Sequence, residues 1–228
     1  MYLLKRKKFI HRNSYGSIEK KGQHELRRRI IEKIKGKDDI YIAVCDTKQY
    51  YPTINHSILM RVLERHIKDK WALWLCWKTI NRMKGIKGLA LGLATSNILG
   101  HVYHSDLDWL ITQEYGFRNY FRFCDDKILI SRDKNLLHTM VRVLQDEVRN
   151  LEQEVKSTWK VVNVKRQRVE ILGALMNTET SIITSYKRRS IERRFRKEIN
   201  RPFNYKTDSY RVLRTWAGLK GSFQIFKS

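Results

Sequence analysis

Proline is nearly missing from this chain, with Pro52 and Pro202 the only two in 228 residues. No Pro/Gly-rich linker, internal repeat or low-complexity tract divides it, so one large domain or two small ones sharing a core are expected. Cysteine is also scarce. Cys45, Cys76 and Cys124 are an odd number with no C-x-x-C spacing, and each has apolar neighbours. This argues against a disulfide framework or a zinc site and predicts reduced, buried thiols in a cytoplasmic protein. No run of about 18 apolar residues occurs, so no membrane-spanning helix is expected. The opening MYLLKRKKFIHR places its charges after its apolar residues, the reverse of a secretory signal. Acidic residues are outnumbered, 23 against 47 Lys and Arg, giving a formal charge of +24. Such an excess points to a polyanion, because each phosphate neutralised by Lys or Arg releases condensed counterions. A ribosomal-type structural protein or a membrane-surface binder would share that charge.

With 42% hydrophobic residues the chain can bury a sizeable core. Residues 23–35 have helical periodicity, with Leu26, Ile30, Ile31 and Ile34 on one face and Arg27, Arg28 and Arg29 off it. DIYIAVC (39–45) reads as a strand ending at Asp46. A helix follows from an Asn55 cap, then a tryptophan-rich helix at 71–82 whose indoles are expected in the core. A further helix spans 94–113. Next comes a hairpin of 119–124 and 127–131 turning at Asp125-Asp126, then a helix at 134–153. Short strands are expected at 159–165, 169–175 and 181–184, before a basic helical end, KRRSIERRFRKEINR at 187–201. Helices mixed with mostly antiparallel strands make the class α+β.

Two places carry acids in positions of chemical interest. Asp46 ends an apolar strand, and Asp125 and Asp126 sit at an apolar hairpin tip, where adjacent like charges are unfavourable without a cation. Each alone is commonly a turn or cap residue. Together they suit nucleotidyl transfer, which uses two divalent ions about 3.5–4 Å apart held by few carboxylates. Between them GLALGLATSN (88–97) is a glycine turn running into a helix, capped at Thr95 or Ser96, whose amides can approach a base pair or nucleotide.

The order and spacing of these segments resemble the palm of reverse transcriptases. Asp46, three residues, Tyr50-Tyr51 and Pro52 are similar to the family's first palm motif. Gly88 to Asn97 resembles the second, and Phe123-Cys124-Asp125-Asp126 the third, with Phe in place of the usual Tyr. Ile171-Leu172-Gly173 looks like the primer grip, with Lys165 just before it, and Arg12 to His24 looks like the join between fingers and palm. The resemblance implies a right-hand polymerase palm at 39–185, partial fingers at 1–38 and a short basic thumb at 186–228. It implies that Asp46, Asp125 and Asp126 are catalytic and bind two Mg2+ ions. Tyr51 would gate the sugar, and Leu91, Gly92 and Lys165 would meet the substrate. Arg188, Arg189, Arg193 and Arg196 would hold nucleic acid. Partners would be template RNA, a DNA primer and dNTPs, with no membrane.

Leu91 before Gly92 and Asn97 after Ser96 resemble diversity-generating retroelement enzymes more than group II intron or retron types, as does the ending Thr215 to Gly221. That subfamily implies a small basic accessory protein. The family normally has further finger residues ahead of Arg12, so the fingers are read as truncated. A catalytically silent RNA-binding relative and a retron or phage-defence polymerase stay open as alternatives. If Asp46 and Asp125 face nucleic acid, strand alternation directs Cys45 and Cys124 to the helix-covered face.

Overall fold

The computed structural model describes residues 9–82 and 85–199. These form two compact units, one of residues 9–22 and 41–161, the other of 23–40 and 162–199. The fold class is α+β, as expected, with a sheet backed by helices.

In the first unit the strands run in the order β1-β3-β4-β2. They are β1 (Ser14–Tyr15), β2 (Tyr41–Asp46), β3 (Tyr120–Phe123) and β4 (Asp126–Ser131). β4 is central and antiparallel to both β2 and β3, while β1 joins β3 in parallel. The register sets Asp46 opposite Asp126, and Asp126 opposite Phe123. Alternation decides which side chains are buried. Ala43, Cys45, Tyr120 and Leu129 enter one apolar cluster, which the long helix Lys134–Asn150 covers with Leu137, Val141, Leu144 and Val148. That helix starts on Asp133, whose Oδ1 accepts from the Asn135 and Leu136 amides.

The helices before it build a second cluster around Ile54, Leu59, Leu63, Leu99 and Tyr103. In chain order the first unit's helices are α2 (His56–His66), α3 (Lys70–Ile80), α4 (Ala94–Tyr103), α5 (Ser105–Trp109) and α6 (Lys134–Asn150). Asn55 caps α2 as its sequence suggests, its Oδ1 2.8 Å from the Ser57 amide and 3.1 Å from that of Ile58. The segment expected as one helix over 94–113 is three pieces. α4 ends at Tyr103, α5 follows, and a wide π turn occupies Leu110–Glu114. Leu93, not Thr95 or Ser96, is the α4 cap residue, and it makes no side-chain cap bond. α3 departs furthest from expectation, because its tryptophans are exposed and only Ile80 is fully buried.

The second unit holds α1 (Gln23–Ile34), the sheet β6-β7-β8 (Val169–Ile171, Ala174–Met176, Ser181–Ile183) and α7 (Ser185–Ile199). β5 (Val161–Asn163) carries the chain from one unit into the other. The expected strand 169–175 is a tight hairpin, broken where Leu172 and Gly173 take positive φ. Arg27, expected off the apolar face of α1, is buried with Leu26 and Ile30, and its guanidinium donates to the Leu172 carbonyl. The Thr215–Gly221 ending and Lys5 to Lys8 lie outside the described residues.

Candidate active site

The hairpin between β3 and β4 turns on Cys124 and Asp125, one residue earlier than its sequence suggests. Asp126 is therefore a strand residue, paired to both neighbours. Cys124 takes φ +52°, the left-handed value that a two-residue hairpin turn needs at its first central position. This also overturns the alternation expected for Cys124, though not that for Cys45. Cys45 is fully buried in the core, and burial pushes its thiol up to about 12. Cys124 leaves the strand at the turn and stays half-buried. It lies so near Gly16 that a Cβ there would sit 2.7 Å from the Cys124 Sγ. Gly16 takes φ +92°, so glycine suits this position on both counts.

Buried cations fix this turn. Arg122 Nη1 donates to the Cys124 carbonyl at 3.1 Å, and Lys127 Nζ to the Asp125 carbonyl at 3.1 Å. The Thr47 amide also reaches the Asp125 carbonyl, at 3.2 Å, and Lys127 donates to the Thr47 hydroxyl. Burial, with Arg122 nearby, lowers the Lys127 ammonium to about 8. Arg122 is itself fully buried and bound to fully buried Asp108, Nη2 to Oδ2 at 2.7 Å and Nε to Oδ1 at 2.8 Å. Ser14 and Tyr120 hydroxyls donate to the same carboxylate at 2.5 and 2.8 Å. His101 Nδ1 faces Arg122 Nη1 at 3.4 Å and its Nε2 lies 2.6 Å from the Gly16 carbonyl. The ring is thus neutral with its proton on Nε2, and burial, then Arg122, lowers it to about 4.

The three acids share one sheet end. Burial raises the Asp125 carboxyl, and Asp46 adds to the rise. Asp126 is pushed up to about 6 by burial, then by Asp125 and Asp46. Asp46 Oδ2 accepts from Lys156 Nζ at 2.5 Å, while its Oδ1 is buried with no hydrogen-bond partner. Lys156 is raised by that hydrogen bond and the Asp46 charge. Among the described residues, no three His, Cys, Asp or Glu side chains gather as a metal site. The donor set still fits a hard divalent ion: carboxylate oxygens, one buried and unpartnered, and two carboxyls whose ionisation their neighbours oppose.

Residues 151–156 form a strap across the Asp46–Asn55 segment. Thr47 bridges to Val155, the Lys48 amide donates to the Glu154 carbonyl at 2.8 Å, and the Lys156 amide to that of Asp46 at 2.8 Å. Gln153 Nε2 donates to the Tyr50 carbonyl and the Thr53 hydroxyl, each at 2.8 Å. Its Oε1 accepts from buried His104 Nε2 at 2.6 Å. Tyr51 lies half-buried above this frame, its hydroxyl donating to Asn97 Oδ1 at 2.8 Å. Burial raises that phenol, with the Cys124 thiol and the Asp125 carboxylate adding to the rise. Leu91 and Gly92 lie exposed in the turn ahead of α4, Gly92 at φ +84°.

The second unit holds the remaining sequence candidates. Lys165 is exposed and ion-paired to Asp38. On α7, Arg188 donates to Glu192 at 3.1 Å, and Arg189, Arg193 and Arg196 are exposed. Sequence reasoning missed Arg122, Asp108, Lys127, Gln153 and Lys156. The available signal for the first and third was a lone cation on each strand flanking the acid pair.

The family model described as reverse transcriptase (RNA-dependent DNA polymerase) matches residues 2–176. The chain belongs to that family. This reverse transcriptase chain is similar in fold to the apo telomerase of Candida tropicalis, with a TM-score of 0.61 and 15% identity over 80% of this chain and 38% of that one. It is similar too to the Candida albicans telomerase in complex with a TWJ fragment of telomeric RNA. There the TM-score is 0.60 and the identity 15%, over 81% of this chain and 37% of that one. The chain therefore spans well under half the length of these telomerases. No curated protein matches the sequence.

Proposed function

We propose that the chain is the catalytic part of an RNA-directed DNA polymerase that extends a DNA primer on an RNA template with dNTPs. The observation carrying this reading is the gathering of Asp46, Asp125 and Asp126 at one sheet end, Asp46 opposite Asp126 in register, where burial and then the neighbouring carboxylates raise Asp126 to about 6. Buried Arg122 and Lys127 hold the turn by its carbonyls rather than by the Asp125 and Asp126 carboxylates, and Asp46 keeps its Oδ1 unpartnered while Oδ2 accepts from Lys156. Asp46, Asp125 and Asp126 would hold two Mg2+ ions, which supply an activated primer hydroxyl and a stabilised leaving phosphate. Tyr51, fixed by Asn97, would limit the space beside the nucleotide sugar. Leu91 and Gly92 would lie against the nascent pair. Residues 1–38, 39–185 and 186–228 would serve as finger connection, palm and thumb. Lys165 would face the substrate, and Arg188, Arg189, Arg193 and Arg196 the nucleic-acid backbone.

The subfamily reading is a diversity-generating retroelement enzyme with a small basic accessory protein. Leu91 and Asn97 support it, since an apolar residue at 91 offers the base pair no hydrogen bond. The test is extension of a DNA primer on RNA with magnesium, beside Asp125→Ala. Loss of extension in that variant supports the polymerase, and errors opposite template adenines support the subfamily. Tight, salt-sensitive RNA binding with no extension would instead favour a chain that binds without catalysing. The Lys156–Asp46 contact is the feature consistent with that outcome.

A further inference from the structure

α3 is anchored by one face and bare on the other. Leu73, Cys76 and Ile80 pack toward the second core cluster. On the opposite side Trp71 is 74% exposed, Leu75 61%, and Trp74 and Trp77 47% each. The Trp71 and Trp74 rings meet edge to face at 4.9 Å. Lys78 Nζ lies 5.5 Å from the Trp74 ring centroid and 5.6 Å from that of Trp77. The surrounding sequence is one-sided in charge: from Lys70 to Ser105 there is no Asp or Glu, against Lys70, Lys78, Arg82, Lys84 and Lys87. The nearest preceding acid, Asp69, is occupied as the helix cap, accepting from the Ala72 amide at 2.8 Å.

We propose that this face of α3 binds single-stranded RNA, the indoles stacking on unpaired bases and Lys78 meeting the phosphate chain. Every base offers a π face to an indole, and flanking cations add backbone attraction without sequence preference. The charge decides against a basic protein partner, which exposed Lys70, Lys78 and Arg82 would repel, while Lys87 is paired to Glu152 at 2.9 Å. It leaves two polyanions, nucleic acid and an anionic bilayer. A membrane-surface helix keeps its cations on the polar face, away from the inserted rings. Here the Lys78 ammonium lies over Trp74 and Trp77, inside the apolar patch, where a bilayer would desolvate it and a phosphate would pair with it. The choice of RNA over DNA rests on the proposed polymerase reading, in which the unpaired strand is the template.

The test measures anisotropy of a labelled oligouridylate of about 12 nucleotides bound to the full chain, without magnesium or dNTPs. A duplex RNA and phosphatidylserine vesicles are run beside it. The variants are Trp71→Ala/Trp74→Ala and Lys78→Gln, both at exposed helix positions, with urea midpoints checked for unchanged stability. The tryptophan variant is expected to weaken the single strand about 10- to 100-fold, with duplex affinity altered less than about twofold. Lys78→Gln should flatten the salt dependence of single-strand binding. Unchanged single-strand affinity, equal loss on duplex, or loss of vesicle binding alone would overturn the proposal. Primer extension by the parent chain, with Asp125→Ala as its control, separates the two readings. If no extension occurs but tryptophan-dependent binding persists, only the polymerase falls; if extension succeeds and binding ignores the tryptophans, only this site falls.

Discussion

Replacing Asp108 by alanine should be among the most damaging single changes in the first unit. It strips the acceptor from Arg122 Nε and Nη2, the Ser14 hydroxyl and the Tyr120 hydroxyl at once, all buried. Breaking a buried pair from one side costs about 3–5 kcal/mol, because the surviving charge is left without compensation. The Arg122 that loses this partner also holds the Cys124 carbonyl, so the acid-bearing turn should loosen with it. Urea unfolding followed by circular dichroism reads the loss directly, provided the m-value is unchanged. Removing both charges together, as Asp108→Leu/Arg122→Met, should recover much of it. A loss under about 1 kcal/mol for Asp108→Ala, or a double variant no better than the single one, would refute the reasoning. The pair also sets a pH signature. Burial raises Asp108, but Arg122 and the hydrogen bonds outweigh it and lower the carboxyl below its usual value. This contribution is present above the unfolded carboxyl value of about 3.9 and is lost as pH falls through the lower folded value.

Asp126 should behave in the opposite sense. Its folded carboxyl titrates near 6 while the unfolded one titrates near 3.9, so between these values the folded state holds more protons and stability falls as pH rises. In EDTA, Asp126→Asn should match the parent below about pH 4 and unfold at higher urea above about pH 6; a pH-independent difference would refute this. Gly100→Ala sets helix propensity against packing. A Cβ there would stand 3.2 Å from Tyr50 Cε1 and 3.3 Å from Tyr51 Cε1, and Tyr50 is buried with its hydroxyl bound to the Gly100 carbonyl. A net loss of about 1–3 kcal/mol is expected in thermal or urea unfolding, rather than the gain that alanine brings to an open helix.

Much of the scaffold was legible in the residues themselves. Alternation gave the β2, β3 and β4 cores, Asn55 announced α2, and the acids stood where the paired strands end. What stayed hidden depends on contacts across the sequence. Arg122 and Lys127 look like ordinary charged residues on half-exposed strands. Nothing local says that Asp108, 14 residues earlier and on a helix, comes to bind Arg122. Alternation misplaced Cys124 because the turn begins one residue earlier than two adjacent acids suggest. Helical periodicity identified α3, but tryptophan's usual burial pointed its indoles the wrong way. The strap was missed because Gln153 and Lys156 meet, by their side chains, a segment about a hundred residues earlier.

That strap places an electrostatic condition on chain length. Val155 opposes Thr47 and Lys156 opposes Asp46, so the count of residues after α6 determines which side chain arrives at the carboxylates. Deleting one residue ahead of Lys156 would deliver Ser157 to Asp46 in an unchanged backbone register. Inserting two would deliver Glu154, a fourth negative charge against three that already repel one another. Sequence drift across this family should therefore keep the number of residues between Asn150 and Lys156 fixed.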